Sequence, residues 1–185
     1  ESEKILDAMD QPSIDGVNTY FVSKATAGLG IKVALSGVGG DEIFSGYSSF
    51  TQIPKIVKHL KFMGNYPMIG MGFRYISSSI IKHFTSPKYA GLFEYGTNIG
   101  GAYLLRRALY MPWELPEVLD PEIVKEGWEK LQPIIQLEKL INKTDNDLLK
   151  IKSLELSCYM RNRLLRDADW AGMAHSLEIR TPLLD

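Results

Sequence analysis

The stretch Ile31-Lys-Val-Ala-Leu-Ser-Gly-Val-Gly-Gly-Asp-Glu42 decides how this chain is read. Ile31–Leu35 is rich in β-branched residues and bounded by glycines, which predicts a buried strand of the parallel type. Ser36 to Gly40 then supplies a hydroxyl and three glycines, and a helix is expected to start near Asp41. A strand end, a glycine turn and a helix start are where α/β proteins bind anions and nucleotides, because backbone N–H groups can approach phosphate oxygens closely. Asp41 repels phosphate unless a cation lies between them, so it reads as a Mg²⁺ ligand beside pyrophosphate. The plainer reading is a tight turn with Asp41 as helix N-cap. The dinucleotide fingerprint fails, since Glu42 stands where its last glycine belongs, and the Walker Gly-Lys-Ser/Thr is absent.

Outward from this loop the pattern is helical. Upstream, Asp15-Gly16 opens a helix with Val17, Tyr20, Phe21 and Ala25 on one apolar face, and Gly28 and Gly30 end it. Downstream, Ile53, Ile56, Val57 and Leu60 form one stripe, Ile69 to Phe84 another, and Ala102 to Leu109 a third. Asp120-Pro121-Glu122 is a helix start, and Pro133 should break or kink that helix. Asp145 is placed to cap a long helix through Leu148, Ile151, Leu154 and Cys158 to Leu164. Thr181-Pro182 ends the last segment in extended form. One or two strands beside six or more helices make a mostly α-helical chain. A lone strand is not a sheet, so the pattern points to part of a larger α/β domain.

Composition narrows the classes further. The 185 residues are 45% apolar and 23% charged, which excludes disordered, collagen-like and disulfide-scaffold chains. Cys158 is the only cysteine, so no internal disulfide forms, and a reducing, cytoplasmic setting is expected. The most apolar stretch, Phe62 to Phe84, is interrupted by Arg74 and Lys82 and falls short of the roughly 20 apolar residues a span needs. No membrane partner is expected, and no signal-peptide pattern follows Glu1. The net charge of −1 hides an asymmetry. Residues 51–110 carry eight basic side chains against Glu94 alone. Such a block attracts phosphates or nucleic acid, or simply forms wet helix faces. Tyr89, Tyr95, Tyr103 and Tyr110 lie in or beside it, but their spacing builds no stacking platform.

The second informative segment runs from Met160 to Asp185. On a regular helix Arg163 faces Arg166 or Asp167, and Arg166 faces Asp169, an arrangement that is either a structural ion-pair network or a polar wall toward a substrate. With Leu35-Ser36-Gly37-Val38-Gly39-Gly40-Asp41-Glu42, Gly46-Tyr47, Asp169, Met173-Ala174 and Glu178-Ile179-Arg180-Thr181-Pro182-Leu183-Leu184-Asp185 in this order, the chain resembles the synthetase domain of glutamine-hydrolysing asparagine synthetases. Asp10 to Tyr20 resembles the family's segment before the strand. The likeness is close over residues 7–50 and 150–185, and the basic middle matches only as a helical insert.

The resemblance implies an adenine nucleotide alpha hydrolase-like fold of the ATP-pyrophosphatase type. It implies ATP and Mg²⁺ as cofactors and a ligase of asparagine biosynthesis that adenylates the carboxylate of aspartate or a related acceptor. Ammonia from glutamine then displaces AMP. Carried over by position, Ser36 and Gly37 would contact the nucleotide or adenylate, Gly39 and Gly40 would cradle pyrophosphate, and Asp41 would hold Mg²⁺. Glu178 and Arg180 would support the site. Aspartate-specific members carry Glu where this chain has Val38, so no catalytic base is assigned, and either an acceptor other than free aspartate or a different base is expected.

Residues 1–185 would be a partial synthetase domain, without the family's upstream Ser-Gly-Gly-x-Asp-Ser pyrophosphate loop and without the glutaminase domain and its nucleophilic cysteine. The partners would be the small-molecule substrates and the remaining parts of a longer chain, with nucleic acid not expected. Other readings are a β-lactam-synthetase-like adenylating enzyme, or a non-catalytic nucleotide- or nucleic-acid-binding helical module. His59, His83 and His175 lack metal-ligand spacing, Cys158 reads as core rather than nucleophile, and Trp170 and His175 read as packing residues. The expected outcome for the isolated 185 residues is no glutamine hydrolysis and no acyl-adenylate. Robust pyrophosphate release from ATP by the purified chain would contradict it.

Overall fold

The computed structural model describes residues 1–81 and 86–184, so His83 and the closing Asp185 of the second motif lie outside the described residues. The chain divides into two compact units. Unit 1 combines Glu1–Gly46 with Glu155–Asp185, and unit 2 is Tyr47–Leu154.

Unit 1 is organised by two short strands, β1 (Val33–Leu35) and β2 (Glu178–Arg180), which pair in parallel with Ala34 opposite Ile179. Helix α1 (Ser2–Ala8) comes first. Helix α2 (Asp15–Gly28) precedes β1, the five-residue helix α3 (Gly40–Phe44) follows it, and α11 (Leu165–Met173) precedes β2. The core gathers Ile5, Tyr20, Trp170 and Ala171. Tyr20 lies 6.2 Å from the Trp170 ring and meets the His175 ring edge-on at 4.3 Å. Packing roles for Trp170 and His175 therefore hold. Gly16 is required by close approach, because a Cβ there would run into the Trp170 indole.

Several local expectations are corrected. The strand is three residues long and not buried, since Val33 and Leu35 are exposed and only Ala34 is half-buried. With a single neighbour, β1 lacks the second flank that hides a central parallel strand. The buried face of α2 is Gly16, Tyr20 and Ser23, while Phe21 is exposed, because Trp170 can close in only over a glycine. Asp41 is not an N-cap. Gly39 holds that position at φ 102°, ψ −19°, and α3 starts one residue earlier.

Unit 2 is helical. Its elements are α4 (Ser49–Leu60), α5 (Pro67–Ile81), α6 (Leu92–Tyr95), α7 (Ile99–Arg107), α8 (Pro121–Leu131), α9 (Pro133–Ile141) and α10 (Asp147–Leu154). Ile53, Leu105, Met111, Ile151 and Leu154 are fully buried where α4, α7, α9 and α10 meet. The Tyr103 hydroxyl donates to the Leu154 carbonyl at 3.2 Å. Asp120 caps α8 through the Glu122 amide at 2.8 Å, and Gln132 at φ 42° separates α8 from α9 before Pro133, as the sequence predicts. The cap of α10 is Asn146, which accepts from the Leu149 amide at 3.1 Å, and not Asp145.

After α10 the chain winds as a π-helix from Glu155 to Leu164 before α11 begins. Five-residue hydrogen bonding re-aims the arginines relative to an ordinary helix. The pairs expected within the segment are replaced by ones that tie it to the start of the chain. Arg163 Nε lies 3.1 Å from Asp15 Oδ2, and Arg166 Nη2 lies 2.7 Å from Asp10 Oδ2.

Gly16→Ala should cost about 1–3 kcal/mol through overpacking against Trp170, read as a lowered midpoint of denaturant unfolding. Gly28→Ala, where an added methyl meets nothing within 4 Å, should leave that midpoint almost unchanged.

Candidate active site

The β1–β2 ladder runs one residue beyond the strands, because the Ser36 amide donates to the Arg180 carbonyl at 2.8 Å. That bond anchors the glycine loop to the second motif. The Val38 amide then turns back to Ser36 Oγ at 3.3 Å, and the Gly40 amide closes a turn onto the Gly37 carbonyl at 3.1 Å. The amides of Gly37 and Gly39 have no partner among the described residues. No atom stands within 4 Å of the place a Cβ on Gly37 would take, so the backbone is open there. A Cβ on Gly39 would lie 2.8 Å from Leu184, and its positive φ also requires glycine.

Ser36, Gly37 and Val38 line a cavity of about 430 Å³. Its other walls include Asn18, Thr19 and Ser23 from α2, Ala34 and Leu35 from β1, and Asp167 and Ala168 from α11. Gly39, Gly40 and Asp41 do not line it. Asp41 is exposed on α3, with its carboxylate against Gly46, where an added Cβ would strike it. The next residue, Glu42, is 1% exposed, and neither of its carboxylate oxygens has a hydrogen-bond partner among the described residues. Glu178 and Arg180 pair with each other at 2.8 Å on the exposed side of β2, and Glu178 faces a separate, smaller cavity with Asp169 and Thr181. Thus Ser36, Gly37 and Val38 converge on one cavity, whereas Asp41 and the Glu178–Arg180 pair stand outside it.

Of two further lining residues, Asp167 is read in the sequence only as a partner of Arg163, and Ser23 carries no role there. Asp167 is 2% exposed, accepts from Ser13 Oγ at 2.6 Å and Trp170 Nε1 at 3.0 Å, and so presents a held carboxylate at the cavity wall. Ser23 Oγ is buried there without a hydrogen-bond partner among the described residues. The only sequence signal for Ser23 is a hydroxyl three residues after Tyr20 on the same helical face. Cys158 is half-buried, and burial followed by the nearby Glu155 carboxylate pushes its thiol pKa up, as befits a packing residue.

The asparagine synthase family pattern matches residues 1–185 from end to end. The chain belongs to the asparagine synthase family. It is also 26% identical over 193 aligned residues to "Asparagine synthetase [glutamine-hydrolyzing] 1" of Bacillus subtilis (strain 168). The alignment covers all of this chain and 28% of that relative, so the chain spans little more than a quarter of the curated protein it matches. No solved structure matches it. In this chain the β1–β2 ladder joins the strand before the glycine loop to Glu178–Arg180, the start of the second motif.

Asp167→Ala should cost about 1–3 kcal/mol, because it leaves the buried Trp170 N–H without its acceptor. The readout is the unfolding midpoint together with a shift of tryptophan emission. Alkylation of Cys158 by iodoacetamide should have its pH midpoint above the usual thiol value of about 8.5. A midpoint at or below that value would contradict the burial described.

Proposed function

We propose that these residues belong to an ATP-dependent ligase that activates an acceptor carboxylate as its acyl-adenylate and passes glutamine-derived ammonia to it. The observation that carries this reading is a pair of amides, Gly37 and Gly39, without partners among the described residues, with Gly37 lining a cavity, in a member of the asparagine synthase family. A carboxylate oxygen of the acceptor attacks the α-phosphorus, the bond from that phosphorus to the bridging oxygen breaks, and pyrophosphate leaves. Ammonia then attacks the acyl carbon, and the bond to AMP breaks. The parent fold in this reading is the adenine nucleotide alpha hydrolase type.

The chain's own residues divide the work. Gly37 and Gly39 would donate to oxyanions without reorganising, since no acceptor among the described residues competes for them. Gly40 keeps the turn closed through the Gly37 carbonyl, so its part in cradling pyrophosphate is to aim its neighbours. Ser36 fixes the Val38 amide and stands at the cavity rim, where the nucleotide would lie. Glu178 and Arg180 hold the end of β2, whose last carbonyl anchors Ser36.

Magnesium fits this site only in one way. Among the described residues no group of three His, Cys, Asp or Glu side chains is placed to hold a metal. Asp41 offers a single exposed carboxylate, which suits an ion held mostly by phosphate oxygens and water. The ion would neutralise the phosphate charge, and Asp41 would be its protein ligand.

Val38 gives the reading its distinguishing feature. Valine neither takes a proton nor pairs with an ammonium, and the carboxylates at the cavity wall are those of Asp15 and Asp167. The acceptor is therefore one other than free aspartate. In the intact protein that carries these residues, acceptor-dependent exchange of labelled pyrophosphate into ATP should be readily measured. Ser36→Ala should lower it about 10–100-fold. Aspartate should be a poor acceptor, and Val38→Glu should raise the rate with it. Ordinary asparagine synthesis with no gain from Val38→Glu would contradict the acceptor assignment, and no exchange with any carboxylate would contradict the activity.

A further inference from the structure

The cavity beside the glycine loop holds two buried polar groups that the proposed chemistry does not use. Asp167 on α11 is 2% exposed and Ser23 on α2 is 1% exposed, and both line it. Each oxygen of the Asp167 carboxylate accepts a neutral hydrogen bond, Oδ2 from Ser13 Oγ at 2.6 Å and Oδ1 from Trp170 Nε1 at 3.0 Å. No cation pairs with Asp167 among the described residues. Arg163 and Arg166, close by in sequence, are engaged with Asp15 and Asp10. The Ser23 hydroxyl has no partner among the described residues either. A buried carboxylate without a cation is destabilising, and so is an orphaned buried hydroxyl. Both at the wall of one cavity point to a ligand that completes them.

We propose that Asp167 and Ser23 hold the ammonium group of the acceptor, and that the acceptor is an amino acid whose amine is separated by an apolar stem from the carboxylate that is activated. This rests on the reading of the cavity as part of the ligase site, and it names the class of acceptor that the reading leaves open. Charge decides between occupants. A water satisfies a hydroxyl but does not neutralise a carboxylate, and the base and ribose of a nucleotide are neutral. A metal ion takes several oxygen ligands, and among the described residues no three His, Cys, Asp or Glu side chains are grouped to hold one. A primary ammonium supplies a positive charge and three donors, enough for the free lone pairs of Asp167 and for Ser23 Oγ. The other walls are largely apolar, with Val22, Ala34, Leu177 and Ile179, which suits methylene groups. The volume of about 430 Å³ lies in the range that takes a whole small molecule. Ser36 and Gly37 line the same cavity, so one molecule can meet both Asp167 and the loop.

The test uses the intact protein carrying these residues and two probes of equal chain length, ε-aminocaproate and caproate. Binding is read by calorimetry, and activation by exchange of labelled pyrophosphate into ATP. The expected result is tighter binding of ε-aminocaproate by about tenfold or more, the effect of a hydrogen bond to a charged group. Asp167→Asn keeps an acceptor for the Trp170 N–H and loses the charge. It should remove the preference for the amine and leave caproate binding as it was, whereas a purely structural role would weaken both probes alike. Ser23→Ala should weaken ε-aminocaproate about 2–10-fold and leave caproate unchanged. Asp15→Asn should leave the preference in place, because Arg163 already balances that charge. Equal binding of the two probes, or a preference that survives Asp167→Asn, overturns the inference. So does a failure of ε-aminocaproate to bind, which would assign Asp167 to a cationic side chain of the same polypeptide. The two readouts separate this inference from the proposed activity. Amine-selective binding that Asp167→Asn abolishes, with no exchange for any carboxylate, supports the amine site and contradicts the ligase reading. Exchange driven equally by both probes supports the ligase reading and overturns the amine site.

Discussion

One hydrogen bond holds the candidate site in place: the Ser36 amide on the Arg180 carbonyl, at 2.8 Å. It extends the three-residue parallel pairing of β1 and β2 into the glycine loop. Everything downstream inherits its position from that register. Val38 turns back onto Ser36, Gly40 closes on Gly37, and the amides of Gly37 and Gly39 are left without a partner among the described residues. A slip of the register by one residue would turn every strand side chain to the other face and carry the loop away from the cavity wall. Leu184 packs directly over Gly39, so the tail of the second motif also shapes the loop that the first motif builds.

The two-strand ladder is too small to hold that register by itself. It is supported by helix packing and by ties between the two ends of the sequence. Trp170 fills the space that Gly16 leaves, and Asp167 holds Trp170 and Ser13 together. Arg163 and Arg166 reach back to Asp15 and Asp10. These last two pairs are half-exposed, so each adds little to stability, and their main effect is to fix direction. Asp167 is different because it is buried, and its two hydrogen bonds cannot be exchanged for water.

Local chemistry made much of this legible. The glycine punctuation around Ile31–Leu35 marks the strand and its turn, Asp120-Pro121 marks α8, and Pro133 marks the break before α9. The two motif segments carry the family, which the match over the whole chain then shows. What the sequence could not give depends on contacts between distant segments. The burial of Ser23 rather than Phe21 follows from where Trp170 lands, and the pairing of Arg163 with Asp15 follows from a π-helical winding that has no local signature. The exposure of Val33 and Leu35 depends on how many strands flank β1, which periodicity within five residues does not encode. The sequence sets Asp41 next to the glycines as a magnesium ligand, and a short turn of helix places its carboxylate against Gly46, outside the cavity lining.

The central claim is that two backbone amides, Gly37 and Gly39, are kept free in order to receive a diphosphate. Nitrogen-15 glycine labelling of the intact protein measures this directly, by following amide resonances as magnesium pyrophosphate is added. The account predicts saturable shifts of the Gly37 and Gly39 resonances, with much smaller changes at Gly40 and Gly16. Resonances of Gly37 and Gly39 that stay still while another set of glycines moves would contradict it.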